Sequence, residues 1–390
     1  MSEAYIVEAV RTAGGRRGGK LAHWHPADLA GDVLSALVDR TGIDPAAIDD
    51  VIMGCVSQIA EQSNHIGRHA VLASKLPNSV PAVSIDRQCG SSQQALQFAA
   101  QAVMSGTQDI VIAAGVESMT RVPMGSPFLL PEQVKLGTGP LSARIKERYG
   151  VDAFSQFTGA QMMSDKYGFK RDELDAYALE SHLRAAAATK RGAFQREILP
   201  LEVETPSGRA VHDTDEGIRY DATLASIGSV KLLQEGGTIS AANASQICDG
   251  ASGVLIANKR GLQTHGLVPL ARIHNLTVTA GDPVIMLDEP IRATRRALER
   301  AGMSIEDIDL YEVNEAFAPV PLAWLREIHA DPARLNVNGG GIALGHPLGA
   351  TGTKLMATLI HALRARGKRY GLQTMCEGGG IANVTIIEAL

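Results

Sequence analysis

Two stretches of the chain carry the same hydrophobic pattern. GDVLSALVDRTGIDPAAIDDVIMG at 31–54 and IRATRRALERAGMSIEDIDLYEVN at 291–314 align without a gap at an offset of 260. In each, apolar residues recur at i, i+3 and i+4, the mark of a helix with one buried face, and a glycine (Gly42 or Gly302) ends it. A turn, an Ile-Asp pair and a short apolar run follow, predicting strands at Val51–Met53 and Tyr311–Val313. Further on, DIVIAAGVES at 109–118 resembles YGLQTMCEGG at 370–379. Between these repeats each half has a small-residue turn entering a helix: CGSSQQALQFAAQAV in the first, GHPLGATGTKLMATLIHAL in the second. The run VPAVSID before Cys89 is strand-like. After it, Ala95, Leu96, Ala99, Ala102 and Val103 keep the spacing of an amphipathic helix that Gly106 stops.

Helix–strand alternation of this kind predicts α/β units. Two copies predict two similar halves, 1–265 and 266–390, packed about a pseudo-two-fold axis. The stretch from about 119 to 247 has no counterpart in the second half. It is richer in Pro, Gly and charge, contains the strongly helical KRDELDAYALESHLRAAAATKRG, and reads as an insertion from the first half.

The chain has 390 residues, 45% of them hydrophobic, enough for a substantial core. Its net charge is −5 with no run of like charges, so no nucleic-acid partner is expected. It shows no secretory signal, no peroxisomal ending and no apolar run of about 18 residues, so a cytoplasmic protein without a membrane span is expected. Cys55, Cys89, Cys248 and Cys376 are far apart and form no CxxC pair, which points to reduced thiols. His65 and His69 are four apart but lack a third ligand, so no metal is expected.

Cys89 stands where a strand turns into a helix. Backbone N–H groups and the helix dipole at such a place stabilise a thiolate and lower its pKa, which makes Cys89 a candidate nucleophile; the other reading is a small buried thiol. A thiolate needs a proton acceptor. His346, framed by glycines in NVNGGGIALGHPLGATGT, is the best candidate among eleven histidines. Cys376, at the end of a strand before three glycines, is a second thiol that could carry protons, and the glycine N–H groups could line an oxyanion hole. Asn314, in NEAFA at another strand end, could orient a water or an oxyanion, or simply serve a turn.

Taken in order, QCGS, NEAFA, GGGIALGHPLGATG and CEGGG resemble the motifs of the thiolases, and the resemblance runs from VEAVRT to the last strand. It implies repeated βαβαβαββ halves in a five-layered α-β-α-β-α body, a loop domain that binds coenzyme A, and a homodimer or homotetramer. It assigns Cys89 as the acyl-carrying nucleophile, His346 as its activator, Cys376 as general acid/base and Asn314 as holder of a water in one oxyanion hole. The backbone N–H groups of Cys89 and Gly378 would form a second hole. Arg219 and Ser226 would meet the nucleotide end of CoA, Ser245 its pantetheine arm, and Phe317 would wall the pocket. Acyl-CoA and CoA would be substrates, with no cofactor.

The implied reaction is thiolytic cleavage of a 3-ketoacyl-CoA, a Claisen condensation in reverse. Short-chain biosynthetic members commonly carry a His-Met-Gly stretch where this chain reads SQFTGAQMM (155–163). CEGGGIAN and CVSQIAEQSNHIGR are more similar to degradative members, including the steroid side-chain thiolases of mycobacteria. Alternatives are a biosynthetic acetyl-CoA acetyltransferase, a decarboxylating ketosynthase (against which Cys376 argues) and a non-catalytic CoA-binding scaffold.

Overall fold

A computed structural model describes residues 3–205 and 208–390; residues 1–2 of the first half and 206–207 of the inserted stretch lie outside it. The first half forms a sheet in the order Tyr5–Thr12, Cys248–Ala257, Ile110–Ser118, Asp50–Gly54, Ala82–Ile85. The second half repeats it as Ala271–Ala280, Ile381–Ala389, Tyr370–Glu377, Leu310–Val313. The halves meet where Tyr5 and Ile6 pair antiparallel with Arg272 and Ala271.

Pairing register fixes how the halves match. Asp50 faces Val111 in the first half, and Leu310 faces Gly371 in the second. The offset of 260 therefore holds for both strands. Val116 and Glu117 correspond to Cys376 and Glu377, which moves the expected alignment of 109–118 with 370–379 by one place.

The outer helices obey the sequence signals. Pro26–Thr41 opens with Pro26 in its first turn and stops at Gly42, whose φ of 67° suits a residue without a Cβ. Glu289–Ala301 has Pro290 and Gly302 in the same places. The strands they cover are apolar on both faces. Ile110, Ile112, Ala114 and Val116 pack toward the first of these helices, while Val111 and Ala113 pack toward the molecule's centre.

That centre holds helices Ser91–Ser105 and Thr351–Ala365, one from each half, between the two sheet halves. With an outer helical layer on each side, the result is α-β-α-β-α. The Ser91–Ser105 helix is not amphipathic in the expected sense. Its Gln93, Gln94 and Gln97 are buried, and Gln97 Nε2 donates to the carbonyls of Thr277 and Val384 in the second half at 3.3 and 3.0 Å. A buried amide is tolerated when it finds acceptors, and here they are backbone carbonyls.

Strands Ile110–Ser118 and Cys248–Ala257 pair out to Ser118 with Asp249, and the 129 residues between them form the insertion. The equivalent strands of the second half are joined by only Gly378, Gly379 and Gly380. Buried Arg11 ties the insertion down, donating to Glu197 at 2.6 Å and to both oxygens of Asp215 at 2.8 and 3.0 Å. Among the described residues no helix is long and apolar enough to cross a membrane.

Candidate active site

Cys89 sits in a sharp turn rather than inside the helix. Gln88 has a φ of 48°, rare for a residue with a Cβ, and Gly90 is the helix cap. Local bonds hold the turn: Gln88 N donates to Asp86 Oδ1 at 2.6 Å, Arg87 N to Ser91 Oγ at 2.9 Å, and Ser91 Oγ to the Gln88 carbonyl at 2.6 Å. The expected lowering of the Cys89 pKa is not met. Its thiol lies one residue before the cap, and burial pushes it up to about 12, with Glu377 the next cause.

Cys376 is the next-to-last residue of its strand, which ends at Glu377 beside this turn. It is buried, and its thiol is pushed well above the ordinary value by burial first and then by Cys89. Gly378 faces the same turn: a Cβ there would stand 2.7 Å from Gln88 Oε1. The two cysteines and Gly378 are thus brought together from opposite halves.

Asn314 follows the neighbouring strand. Its backbone N–H donates to the Thr374 carbonyl at 3.0 Å, two residues before Cys376. Its amide Nδ2 lies 3.3 Å from His346 Nε2, and its Oδ1 has no partner among the described residues. An unpartnered buried acceptor of this kind is suited to hold a water.

The tautomer of His346 follows from its neighbours. Nδ1 contacts Thr351 Oγ1, and the single hydroxyl proton of Thr351 is directed to the Pro347 carbonyl at 2.9 Å. Thr351 therefore accepts, Nδ1 carries the proton, and Nε2 presents a lone pair. Burial, and then the Lys354 cation, lower the His346 pKa to about 3, so the ring is neutral at ordinary pH. Lys354 Nζ donates to the carbonyls of Leu344 and Gly345 at 2.6 and 2.8 Å, just before His346. The loop also abuts the start of the Cys89 helix, where Thr353 N donates to Ser92 Oγ at 3.1 Å. Gly352 lets the two central helices touch, because a Cβ there would collide with the Gln93 backbone.

The insertion supplies one wall. Ser245 N donates to the Ala316 carbonyl at 2.9 Å, and a Cβ on Gly341 would lie 3.3 Å from Asn314 Oδ1 and 3.6 Å from Ser245 Cβ. Gln246, which the sequence reading missed, accepts the His346 backbone N–H at 3.1 Å and donates to Gly217 and Ile342. Phe317 is buried and meets Phe157 edge-on with ring centres 5.7 Å apart.

Arg219 and Ser226 are exposed, and neither bonds to the four central residues. Ser226 spends its hydroxyl locally, accepting from Thr223 N and donating to the Thr223 carbonyl. His65, the other candidate ligand pair's first member, caps its own helix by accepting from Arg68 N at 2.9 Å. Thr351, Lys354 and Glu377 were also missed. They look like ordinary helix or strand residues in sequence, and only folding places them at the site.

A neutral imidazole with an unprotonated Nε2, two thiols and an unpaired amide oxygen are the parts of a covalent acyl-transfer centre. Comparison with known proteins agrees. Residues 4–260 match the thiolase N-terminal domain and residues 267–389 the thiolase C-terminal domain, so the chain belongs to the thiolase family and is an acyltransferase. It is 53% identical over 392 residues to Steroid 3-ketoacyl-CoA thiolase FadA6 of Mycobacterium tuberculosis, covering all of this chain and 95% of that one. In structure it is similar to the acetyl-CoA acetyltransferase of Bacillus anthracis (TM-score 0.91, 35% identity, 100% and 99% of the chains covered). It is also similar to human mitochondrial 3-ketoacyl-CoA thiolase (TM-score 0.89, 35% identity, the same coverage).

Proposed function

We propose that this thiolase works in the degradative direction, cleaving a 3-ketoacyl-CoA with a bulky apolar acyl group through an acyl-Cys89 intermediate. The observation that carries the mechanism is the buried, neutral His346, whose Nδ1 proton is held by Thr351 and whose unprotonated Nε2 faces the Asn314 amide at 3.3 Å. In the resting state Cys89 is a thiol. Its proton passes to His346 Nε2 as sulfur attacks the 3-keto carbon, so ionisation and attack are coupled. The oxyanion is met by the backbone N–H groups of Cys89 and Gly378. The C2–C3 bond breaks, the acyl group stays on Cys89, and the electron pair leaves as the enolate of acetyl-CoA. A water on Asn314 holds the enolate oxygen, and Cys376 protonates its carbon. In the second half CoA gives its thiol proton to the Cys376 thiolate and attacks the acyl-Cys89 thioester. His346 returns the first proton to the departing Cys89, and both residues are restored.

Two features support a bulky acyl group. Phe157, in the stretch where short-chain members carry the His-Met-Gly, is 45% exposed and meets Phe317 edge-on, giving an apolar surface three residues along the chain from Asn314. The relative at 53% identity bears the name of a steroid thiolase. Ser245 is assigned to the pantetheine arm, and Arg219 and Ser226, on the exposed rim of the insertion, to the nucleotide end of CoA. We further assign the protein to the cytoplasm, as a homodimer or homotetramer.

The test is CoA-dependent cleavage of a series from acetoacetyl-CoA through long-chain to steroid-side-chain 3-ketoacyl-CoAs, each beside Cys89→Ala. Rates should rise with acyl size and vanish in the variant, with an acyl adduct on Cys89 by mass spectrometry. Activity confined to acetoacetyl-CoA would overturn the substrate assignment in favour of an acetyl-CoA acetyltransferase. Turnover surviving in Cys89→Ala would overturn the mechanism.

A further inference from the structure

Glu315 follows Asn314 in the chain and is buried, and the reaction above does not use it. Its carboxyl group accepts four hydrogen bonds. Oε1 takes the Tyr177 hydroxyl at 2.9 Å and Asn336 Nδ2 at 3.1 Å; Oε2 takes the Ser181 hydroxyl at 2.7 Å and the Ile342 backbone N–H at 3.1 Å. Second bonds fix the direction of the side-chain donors. The Asn336 amide oxygen accepts from Val313 N at 3.0 Å, so its nitrogen is the donor toward Glu315. Ser181 Oγ accepts from Gly340 N at 3.2 Å and gives its own proton to Glu315. The Tyr177 oxygen lies 3.2 Å from the same Asn336 nitrogen, so its proton also points to Glu315. Two donors on each oxygen make the shell of a carboxylate. Burial raises the Glu315 carboxyl, and the bonds from Ser181, Ile342, Tyr177 and Asn336 pull against that rise.

The four donors come from separate parts of the chain. Tyr177 and Ser181 lie on the helix Arg171–Lys190 of the insertion. Asn336 lies on the segment beside strand Leu310–Val313, and Ile342 in the glycine turn that leads to His346. A Cβ on Gly340 would stand 2.4 Å from the Glu315 carboxyl carbon, so this turn closes directly on the carboxylate. The next residue, Gly341, abuts Asn314 Oδ1, and its carbonyl accepts from Gln246 N at 3.3 Å. Glu315 thus holds both flanks of the Asn314 amide: the strand end that carries it and the turn that covers its Oδ1. At the offset of 260 the first half has Cys55, so the clamp belongs to the second half alone. The other oxyanion hole is built from the Cys89 turn and the end of strand Tyr370–Glu377, and the Glu315 carboxylate bonds to neither.

We propose that Glu315 is a positioning residue for the enolate step: its carboxylate clamps the insertion helix and the glycine turn around Asn314, so that the amide oxygen holds its water in place as the enolate forms. It acts through Asn314 rather than on the substrate. Tyr177 and Ser181 extend the clamp into the insertion, so the part of the chain assigned to CoA also sets the geometry of the enolate hole.

The inference rests on the thiolase reading, and two partial reactions separate them. In D2O, with octanoyl-CoA supplied to acylate Cys89, the Cys376 thiolate removes a proton from C2 of acetyl-CoA. The electron pair moves to the enolate oxygen, a deuteron returns from solvent through the Cys376 thiol, and mass spectrometry reads the label. Exchange of octanoyl-CoA with isotope-labelled CoA uses the hole at Cys89 and Gly378 and forms no enolate. Glu315→Gln sets an amide –NH2 against two of the four donors, and should slow the deuterium exchange about tenfold or more while changing the CoA exchange less than about threefold. Tyr177→Phe removes one donor and should slow the deuterium exchange about threefold, with less than about twofold change in the CoA exchange. A purely structural lesion would lower both rates together. If Glu315→Gln does not fold, Tyr177→Phe decides alone. Equal loss of both exchanges, or a parent-like deuterium exchange in either variant, would overturn the proposal. A parent that shows neither exchange would sink the thiolase reading and this proposal with it.

Discussion

Thr351→Val removes one hydroxyl and leaves the side chain's shape. Two buried groups lose their partner: His346 Nδ1–H, which donates to Thr351 Oγ1, and the Pro347 carbonyl, which accepts from it at 2.9 Å. An unsatisfied buried donor costs about 1–3 kcal/mol. If that cost falls on the tautomer that presents Nε2, kcat/KM drops about 5- to 150-fold, at about 1.4 kcal/mol per tenfold. Thiolysis of one 3-ketoacyl-CoA would be followed in the parent, Thr351→Val and Thr351→Ser, with Tm measured for each. Thr351→Ser keeps the hydroxyl and should recover most of the activity. Parent-like kcat/KM in Thr351→Val, or equal damage in the serine variant, would refute the assignment of the proton to Nδ1.

His346 also makes stability depend on pH. Its folded pKa of about 3 lies below the unfolded value near 6.5, so between these pH values the unfolded chain binds the extra proton. Stability is therefore lost as pH falls through this window, and His346→Asn should flatten the fall of Tm between pH 7 and pH 5. His182, lowered to about 4 chiefly by burial, contributes in the same direction and should remain in that variant. Gly352→Ala forces a methyl group against the Gln93 backbone, whose Cα would stand 2.7 Å away. Overpacking of that kind costs about 1–3 kcal/mol or more, so a clearly lowered Tm is expected, and an unchanged one would mean that the central helices separate easily.

Much of the architecture is legible in the chain because it rests on local rules. Gly42 and Gly302 stop helices in any context, and the paired 31–54 and 291–314 patterns announce a duplication before any contact is known. Cys89, His346, Cys376 and Asn314 also stand out, because each lies at the end of a strand or in a glycine-framed turn, where a side chain is free to meet a ligand. Gln93 and Gln97 gave no sign of their burial, because helical periodicity records polarity but not the carbonyls of Gln373, Thr277 and Val384 that meet them from the second half. Thr351 and Glu377 gave no signal for a similar reason. A threonine near the start of a helix and a glutamate ending a strand have ordinary local explanations.

What the sequence determined by itself was the inventory: two α/β halves, an insertion between strands, and the residue types of an acyl-transfer centre. The tertiary structure decided their charge states. Loss of solvent around the Cys89 sulfur pushes its thiol up rather than down, and burial together with the Lys354 cation keeps His346 neutral. Desolvation and pairing are sums over neighbours, and those neighbours are brought together from positions up to nearly 300 residues apart, as Cys89 and Glu377 are.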